Sequence, residues 1–251
     1  MKWSALIFLS CASAMAQLPT LMIPPAPTSS ANTPQTLGAT YWWPLTAATN
    51  VGVGNNVTNW IDVISGRIWT NGANAKAPTL SSQGVTFGLT TSVQMTNVGT
   101  SISWGDNSTH WLVLSITNNQ SFKDLLDVAN NGTLELGFGA AGQLITIVSS
   151  SVKTFTDAPS TNRFFDIIVV ASKDALNNTA VRMYTNGIAC ATVSTTWAAN
   201  NWNFLGGIAA EGFFRGCMKD VGVFASKCLT NATDLADLHS SLTNLYPGIT
   251  P

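Results

Sequence analysis

Charge is what this chain lacks most. Asp, Glu, Lys and Arg make up 9% of its 251 residues, against roughly 25% in ordinary globular domains. The formal net charge is −1, so the sequence offers no basic surface for the phosphate contacts that dominate nucleic-acid binding. Asn, Thr, Ser and Gly fill the spaces between apolar runs. We therefore expect a polar, largely uncharged surface and exclude nucleic acid as a partner.

The N-terminal apolar run is too short to cross a bilayer. It extends from Ala5 to Leu9, whereas a membrane-spanning helix needs about 20 apolar residues. Lys2 precedes the run and the small-x-small sequence Ala14-Met15-Ala16 follows it, which is the pattern of a secretory signal peptide. We predict that residues 1–16 are a signal peptide and that the protein is secreted, either free or at the cell surface, without a membrane span.

Cysteine is also scarce. Of four cysteines, Cys11 lies in the signal peptide, so the mature chain would keep Cys190, Cys217 and Cys228, an odd number in an oxidising compartment. The extended stretch after Cys217 would span about 23 Å, and the four residues that follow it can return at most about 14 Å. Cys228 therefore cannot come within the ~5.5 Å Cα separation that a disulfide with Cys217 needs. We predict a disulfide between Cys190 and either Cys217 or Cys228; three free buried thiols are the alternative.

Few residues are available for catalysis. Glu135 and Glu211 are the only glutamates, and His110 and His239 the only histidines. A glycosidase needs two carboxyl groups on opposite sides of one bond, but the residues two and four positions after Glu135 are glycines, so no second carboxylate follows it on the same strand face. Zinc constellations, a Gly-x-Ser-x-Gly elbow and a phosphate-binding loop are absent from the sequence. We expect no enzymatic activity.

Short apolar runs separated by turn residues begin at Ala39. Their spacing is typical of a β-sandwich. Asn186-Gly187, between Arg182-Met183-Tyr184 and Ile188-Ala189-Cys190, is the strongest hairpin signal, since both residues tolerate the positive φ of a type I′ turn. These patterns predict an all-β fold over residues 39–251.

The C-terminal segment has a different period. Its leucines recur three or four residues apart, at Leu235, Leu238, Leu242 and Leu245. This spacing predicts a short amphipathic helix whose apolar stripe packs on the sandwich. Thr230 or Thr233 is the expected N-cap, and His239 is expected on an exposed face. Residues 17–38 hold half of the ten prolines and should form an extended tether.

The run Phe214-Arg215-Gly216-Cys217-Met218-Lys219-Asp220-Val221 has an aromatic-x-Gly-x-x-x-Asp-Val pattern. Tyr41–Leu45, Asp62–Gly66 and Tyr184–Gly187 add further pieces in a consistent order. Together they resemble a laminin G-like domain. The resemblance implies a concanavalin A-like jelly roll, a sandwich of two antiparallel sheets of the kind that many secreted glycan-binding modules share.

Several relatives in that family hold Ca²⁺ at the rim of the sandwich. Asp62 and Asp220 lie in family-like positions, so the resemblance implies them as calcium ligands, with oxygen donors that suit this hard cation. Asp62 has a second interpretation, because Asp commonly caps a turn through hydrogen bonds to nearby backbone groups.

Nine tryptophans raise the question of which ones leave the core. Trp197 and Trp202 are separated by small residues and by Asn200 and Asn201, which makes a candidate rim where a sugar ring stacks on indoles and hydroxyls meet amides. Strand alternation favours Trp202 packing inward beside Phe204. Trp197 is the better candidate for an exposed ligand-binding indole.

Three functions follow from these features. The first is a secreted, non-catalytic binding module whose partner is a glycan or a glycosylated surface. The second is a structural or adhesive protein that packs against copies of itself or other chains. The third is a glycoside hydrolase, which would require Glu135 or Glu211 to face an acidic partner. An exposed aromatic groove favours the first, and a broad apolar patch favours the second.

Overall fold

The computed structural model describes most of the chain from residue 32 onward. The described residues are 32–50, 55–71, 77–88, 93, 95–97, 102–117, 123–127, 134–139, 142–148, 151–155, 159–174, 179–195, 200–208 and 212–249. The predicted signal peptide, and residues 17–31 of the predicted tether, lie outside them. In this described part, no helix combines the length and apolar character needed to cross a membrane.

Short strands make up almost all the secondary structure of these residues. They are β1 (Tyr41–Pro44), β2 (Ala48–Asn50), β3 (Val57–Ile61), β4 (Ile68–Thr70), β5 (Thr79–Ser81), β6 (Gly84–Phe87), β7 (Met95–Asn97), β8 (Ile102–Trp104), β9 (Ser108–Ile116), β10 (Lys123–Asp127), β11 (Leu134–Phe138), β12 (Leu144–Val148), β13 (Ser151–Thr154), β14 (Phe164–Lys173), β15 (Thr179–Thr185), β16 (Ile188–Thr195), β17 (Asn200–Trp202), β18 (Phe204–Leu205), β19 (Gly207–Ile208), β20 (Gly212–Phe213) and β21 (Gly216–Phe224). One α-helix, α1 (Ala232–Leu245), follows them, and a 3-10 turn spans Leu45–Ala47.

The strands form two large sheets. The first has the order β16-β15-β14-β9-β21-β6-β5, with β1 also paired to β21. The second has the order β13-β12-β11-β10-β18-β7-β4-β3-β2, with β19 and β20 attached beside β10, and β8 and β17 form a separate pair. The ladders are antiparallel except for one contact between β10 and β20. The predicted all-β sandwich with a short C-terminal helix is confirmed.

The main core lies between the two sheets. Alternate residues of β9 and of β14 point into it, as expected where one face of a pleated strand packs on a core. The aromatic members with at most 3% of their surface exposed include Trp43, Trp60, Trp69, Phe87, Trp104, Phe138, Phe165, Trp202 and Phe214. Most of the tryptophans that the structure describes therefore lie in a core.

A second core lies on the other face of the first sheet, beneath α1. Leu238 and Leu242 are fully buried there and Leu235 packs against them, whereas Leu245 is 40% exposed. The predicted stripe is confirmed except at its last leucine. The N-cap is Asn231, whose Oδ1 accepts from the backbone N–H of Asp234 at 2.7 Å, so the predicted threonine caps are wrong.

Both faces of the central strands are consequently buried. On β14, Ile167 and Val169 enter the main core while Ile168 and Val170 enter the second core. A strand covered on both faces carries a nearly continuous apolar run. Asp166 interrupts that run on the helix side, which makes it a conspicuous exception.

Strand β21 joins the two halves of the first sheet. It pairs with β9 along its length, and on its other edge with β6 near Met218 and with β1 beyond Asp220. A register shift at Lys219 is a bulge, and a one-residue slip moves the following side chains to the opposite face. Met218 and Val221 therefore both reach the main core although they are three residues apart, and Asp220 faces the helix.

The predicted hairpin is confirmed. Asn186 and Gly187 have φ of 52° and 73°, the left-handed region that a type I′ turn requires at both positions. At the start of the described chain, the backbone turns between Thr33 and Ala39. Leu37 of this turn packs on the second core, so the last residues assigned to the tether lie against the domain.

The predicted disulfide is not formed, since Cys190, Cys217 and Cys228 all remain thiols. Cys190 lies on β16 and Cys217 on β21, four strand positions away in the first sheet, or about 19 Å at ~4.8 Å per strand. Cys190 packs against the main core and Cys228 against the second, on opposite faces of that sheet. Neither predicted pair reaches disulfide geometry.

Gly222 should be intolerant of any side chain. A Cβ at this position would lie 1.9 Å from Cζ2 of Trp111, whose ring covers the glycine. We expect Gly222→Ala to lower the free energy of unfolding by about 3 kcal/mol, because a well-packed core cannot absorb the overlap without moving backbone. Urea unfolding followed by tryptophan fluorescence measures this loss.

Ser240→Ala, at an exposed position of α1, is the matched control and should change stability by less than about 0.5 kcal/mol. A Gly222→Ala protein as stable as this control would show that Trp111 does not occupy the space above Gly222.

Candidate functional site

A groove of about 490 Å³ separates the β15–β16 hairpin from the N-terminal half of α1. Its size falls within the range of ~300 to 1,000 Å³ typical of small-ligand sites. The hairpin contributes one wall and the helix the other. The lining residues are Tyr184, Asn186, Gly187, Ile188, Thr230, Ala232, Leu235, Ala236 and His239.

The helix wall combines apolar side chains with one imidazole. Leu235 and His239 are four residues apart on α1 and Ala236 and His239 are three apart, so all three neighbour one another on one helix face. On the hairpin wall, Ile188 is 60% exposed and is the most exposed large apolar side chain among the described residues. The groove therefore offers apolar surface with one imidazole among its lining side chains.

His239 is held in place by Asp166. The Nδ1 of the imidazole is hydrogen-bonded to Oδ2 of Asp166, a carboxylate with no exposed surface, and only 22% of the histidine side chain is exposed. The expectation that His239 lies on an exposed helix face is therefore wrong. Because a carboxylate only accepts, Nδ1 carries a proton and Nε2 lies on the side of the ring remote from Asp166.

Asp166 also organises the hairpin. Its backbone N–H donates to Oδ1 of Asn186 at 3.1 Å, and the Asn186 N–H donates to the Asp166 carbonyl at 3.2 Å. The Asp166 hydrogen bond raises the pKa of His239 more than partial burial lowers it. The imidazolium form is therefore favoured over a wider pH range than in a free histidine. Asp166 thus contacts both walls, the helix through its carboxylate and the hairpin through its backbone.

The groove offers hydrogen-bonding groups beside apolar surface. Its lining contains hydroxyl, amide and imidazole groups beside apolar carbons, and no carboxylate. Asp166 lies behind the imidazole with no exposed surface. Most glycosidases place two carboxyl groups against the substrate, and the side chains that line this groove include none.

Asp220, one of the two predicted calcium ligands, is fully buried among hydrogen-bond donors. Oδ1 accepts from the indole N–H of Trp111 at 2.8 Å, and Oδ2 accepts from the indole N–H of Trp42 at 2.9 Å and from the Tyr246 hydroxyl at 2.6 Å. Both oxygens are thus committed to donors from β9, β1 and the end of α1. The contacts give Asp220 a structural role, contrary to the calcium interpretation.

Asp62, the other predicted calcium ligand, caps a turn. Oδ1 accepts from the backbone N–H groups of Trp42 and Ile64 at 2.7 and 2.9 Å, and Oδ2 accepts from the N–H and hydroxyl of Ser65. The turn-cap interpretation is confirmed. Across the described ranges, no three His, Cys, Asp or Glu residues come together to hold a metal ion.

The predicted sugar-binding rim is only partly described. Trp197 lies outside the described residues, so its role stays a prediction. Asn200 and Asn201 belong to β17, which pairs with β8, and Asn201 is half-buried. Trp202 is 2% exposed, with its ring centroid 4.5 Å from that of His110. Its assignment to a ligand surface is wrong, because it packs inward as strand alternation favours.

Glu135 has an acidic neighbour in backbone register. In the backbone register, Glu135 on β11 is directly opposite Asp127 on β10. This is the kind of acidic partner that the third function requires. Glu211, the other glutamate, lies outside the described residues.

Sequence reasoning missed the Asp166–His239 pair. The two residues are 73 positions apart, and neither carries a local motif. One signal was present: Asp166 is the single charge within the apolar run from Phe164 to Ala171, and an Asp buried in such a run requires a partner.

Comparison with known proteins identifies a shared fold without a family. No protein-family model matches this chain, and no curated protein matches it either. Among solved structures, Trypanosoma rangeli sialidase in complex with sialic acid matches with a TM-score of 0.56 and 13% identity over 86% of this chain. A mutant of that sialidase displaying trans-sialidase activity matches with a TM-score of 0.57 and 14% identity over 86% of this chain.

The chain spans about a third of the length of these sialidases, 34% in both cases. A Ruminococcus gnavus IT-sialidase CBM40 bound to alpha2,3 sialyllactose matches with a TM-score of 0.41 and 14% identity, over 57% of this chain and 96% of that one; this likeness is too low to support a structural argument. At these identities, what is shared with the sialidases is the sandwich fold.

The Asp220 carboxyl should make stability depend on pH. Burial raises its pKa from 3.8 to about 7, and the hydrogen bonds from Trp42, Tyr246 and Trp111 oppose that rise. Because the folded-state pKa lies above the unfolded one, the folded protein binds this proton more tightly. The contribution to stability is complete below about pH 4 and is lost as the pH rises through about 7.

We expect the wild-type protein to lose up to about 4 kcal/mol relative to Asp220→Asn between pH 4 and pH 8, at 1.36 kcal/mol per pKa unit. Urea unfolding of both proteins across this range measures the difference, and other titrating groups cancel in the comparison. A stability difference that stays constant with pH would mean that Asp220 keeps an ordinary pKa.

Proposed function

We propose that this chain is a non-catalytic carbohydrate-binding module that acts outside the cell, and that the groove between the β15–β16 hairpin and α1 is its binding site. The observation that carries the proposal is the groove itself. It combines a suitable volume with apolar walls and a few convergent polar groups, which is the usual composition of a small-ligand site.

The chemistry of the lining favours a sugar over other small ligands. A pyranose has apolar C–H faces and a hydroxyl edge, so it can pack on Tyr184 and Ile188 while its hydroxyls meet Asn186, Thr230 and His239. No Lys, Arg, Asp or Glu lines the groove, so a ligand that depends on full opposite charge finds no partner there. The low overall charge of the chain, 9%, agrees with a neutral, hydroxyl-rich ligand.

Two supporting observations are weaker. The sandwich is shared with sialidases, one of them solved with sialic acid, and this supports a carbohydrate ligand only through the fold. The laminin G-like pattern from Phe214 to Val221 and the signal-peptide pattern of residues 1–16 support a secreted glycan-binding module. Both patterns remain arguments from sequence.

A glycan array probed with the purified full chain tests the proposal. We expect saturable binding to a defined set of glycans. Ile188→Asp should weaken it at least about tenfold, equivalent to about 1.4 kcal/mol, because it places a charge on the apolar wall. Val63→Asp, at a 45% exposed position in another turn, is the matched control and should bind as the wild type does.

Trp197→Ala separates this site from the predicted rim. If Trp197→Ala loses glycan binding while Ile188→Asp keeps it, the groove is not the binding site and the predicted rim around Trp197 is. Absence of binding to any glycan, together with a light-scattering mass well above 26.5 kDa, would instead favour the structural or adhesive function. The exposed large apolar side chains described, Val63, Ile188 and Leu245, lie in three separate elements and form no broad patch.

Glycoside hydrolysis is the second candidate function, favoured by the register of Glu135 opposite Asp127. If these residues form a catalytic pair, the wild type releases sugar from arrayed or soluble glycans and Glu135→Gln does not. The non-catalytic proposal expects no release by either protein. Release by the wild type that Glu135→Gln abolishes would overturn the non-catalytic proposal.

A further inference from the structure

We infer that the groove selects sugars that carry an acetamido group, with the acetamido carbonyl accepting a hydrogen bond from Nε2 of His239 and the methyl packing against Ile188, Leu235 and Ala236. This inference rests on the proposed carbohydrate-binding function and specifies its ligand class. The inference follows from the position of the His239 imidazole beside the apolar side chains of the helix wall.

The orientation of the imidazole decides which group it can recognise. His239 lines the groove and its Nδ1 is committed to Asp166, so Nε2 is the ring nitrogen we assign to the ligand. Gly187 closes the opposite side: a Cβ there would lie 2.9 Å from Cδ2 and 3.3 Å from Nε2 of His239. The absence of a side chain at Gly187 lets the hairpin approach the ring and leaves space beside Nε2.

Protonation of the ring makes Nε2 a donor. The hydrogen bond to Asp166 raises the pKa of His239, and the protonated ring presents an N–H at both nitrogens. A ligand atom at Nε2 must then be an acceptor. A carbonyl oxygen can only accept, so it pairs only with a protonated Nε2. A hydroxyl can donate or accept, so it pairs with Nε2 in either protonation state and is not selected.

The charge of the pair argues against an anionic ligand. When His239 is protonated, its charge is balanced by the buried Asp166 carboxylate, and no other cationic side chain lines the groove. A carboxylate ligand would lose its hydration for a site with no net positive charge, which is unfavourable. A neutral carbonyl pays a smaller desolvation penalty and still receives the hydrogen bond.

The apolar neighbours account for the methyl group. Leu235 and Ala236 lie one helical turn before His239 on the same face of α1, and Ile188 faces them from the hairpin across the groove. An acetamido group has its methyl and its carbonyl oxygen on the same carbon. The acetamido group therefore matches a wall in which the Nε2 donor and apolar side chains are adjacent. A hydroxyl in the same position would have no methyl group to pack against these side chains.

Calorimetric titration of the full chain with matched methyl glycosides tests the inference. The probes are the β-glycosides of N-acetylglucosamine, glucose and glucuronic acid, with the corresponding galacto series. We expect the N-acetyl sugar of at least one series to bind at least tenfold more tightly than its hydroxyl counterpart. Ala236→Asn, at an exposed helix position that leaves the Asp166–His239 pair intact, should reduce this preference to less than threefold.

A pH series tests the donor role of Nε2. The titratable groups around the ring are Asp166 on β14 and Tyr184 on β15, while Asp237 lies on another face of α1. Affinity for the N-acetyl sugar should fall about tenfold as the pH rises from 5.5 to 8.5, because deprotonation removes the Nε2 proton. His239→Gln should bind with a flat profile over the same range.

The possible results separate the inference from the function on which it rests. Equal binding of N-acetyl and hydroxyl sugars, tightest binding of the glucuronide, or a flat wild-type pH profile would overturn the acetamido inference and leave carbohydrate binding intact. Failure to bind any sugar in these titrations and on the glycan array would overturn both.

Discussion

The carboxylate of Asp220 is the point at which the first sheet and the C-terminal helix are joined. Trp111 of β9, Trp42 of β1 and Tyr246 at the end of α1 all donate hydrogen bonds to it. Gly222, two residues along the same strand face, leaves room for the Trp111 ring. A buried carboxylate is tolerated only when its oxygens are satisfied, so the three donors and the glycine depend on one another.

This junction determines where the groove lies. Tyr246 fixes the C-terminal end of α1 above β21, and His239 fixes its middle above β14 through Asp166. Two buried carboxylates on adjacent parts of one sheet thus hold the helix at two points, while Leu238 and Leu242 fill the space between them. The helix wall of the groove is consequently held by the sheet, and the hairpin wall is held by the same Asp166. A site whose walls are fixed before the ligand arrives loses less conformational entropy on binding.

Local patterns predicted the elements well. Alternation predicted the strands, leucine spacing predicted α1, and Asn186-Gly187 predicted the hairpin, because each depends on neighbours within a few residues. The family-like pattern from Phe214 to Val221 corresponds to the start of β21. Within that pattern, Met218 and Val221 face the same core although they are three residues apart. The bulge at Lys219 explains this, and the sequence does not signal the bulge.

Long-range partners were harder to predict. The pairing of Asp166 with His239, and the three donors to Asp220, join residues from distant parts of the chain and leave no local motif. The cysteine prediction was wrong for the same reason: chain length correctly separated Cys217 from Cys228, but only the strand order shows how far Cys190 lies from both. Trp202 shows that residue type alone is not enough: an indole next to asparagines suits a rim or a core edge, and strand alternation correctly favoured the core.

The central claim is that carbohydrate binds between the β15–β16 hairpin and α1. Chemical-shift mapping of the ¹⁵N-labelled full chain during titration with its best-binding sugar tests this most directly. The account predicts saturable shifts of the backbone amides of Gly187, Ile188, Ala236 and His239, together with the ring nitrogens of His239. Shifts confined to residues 200–202 and their neighbours, with the groove amides unchanged, would contradict it.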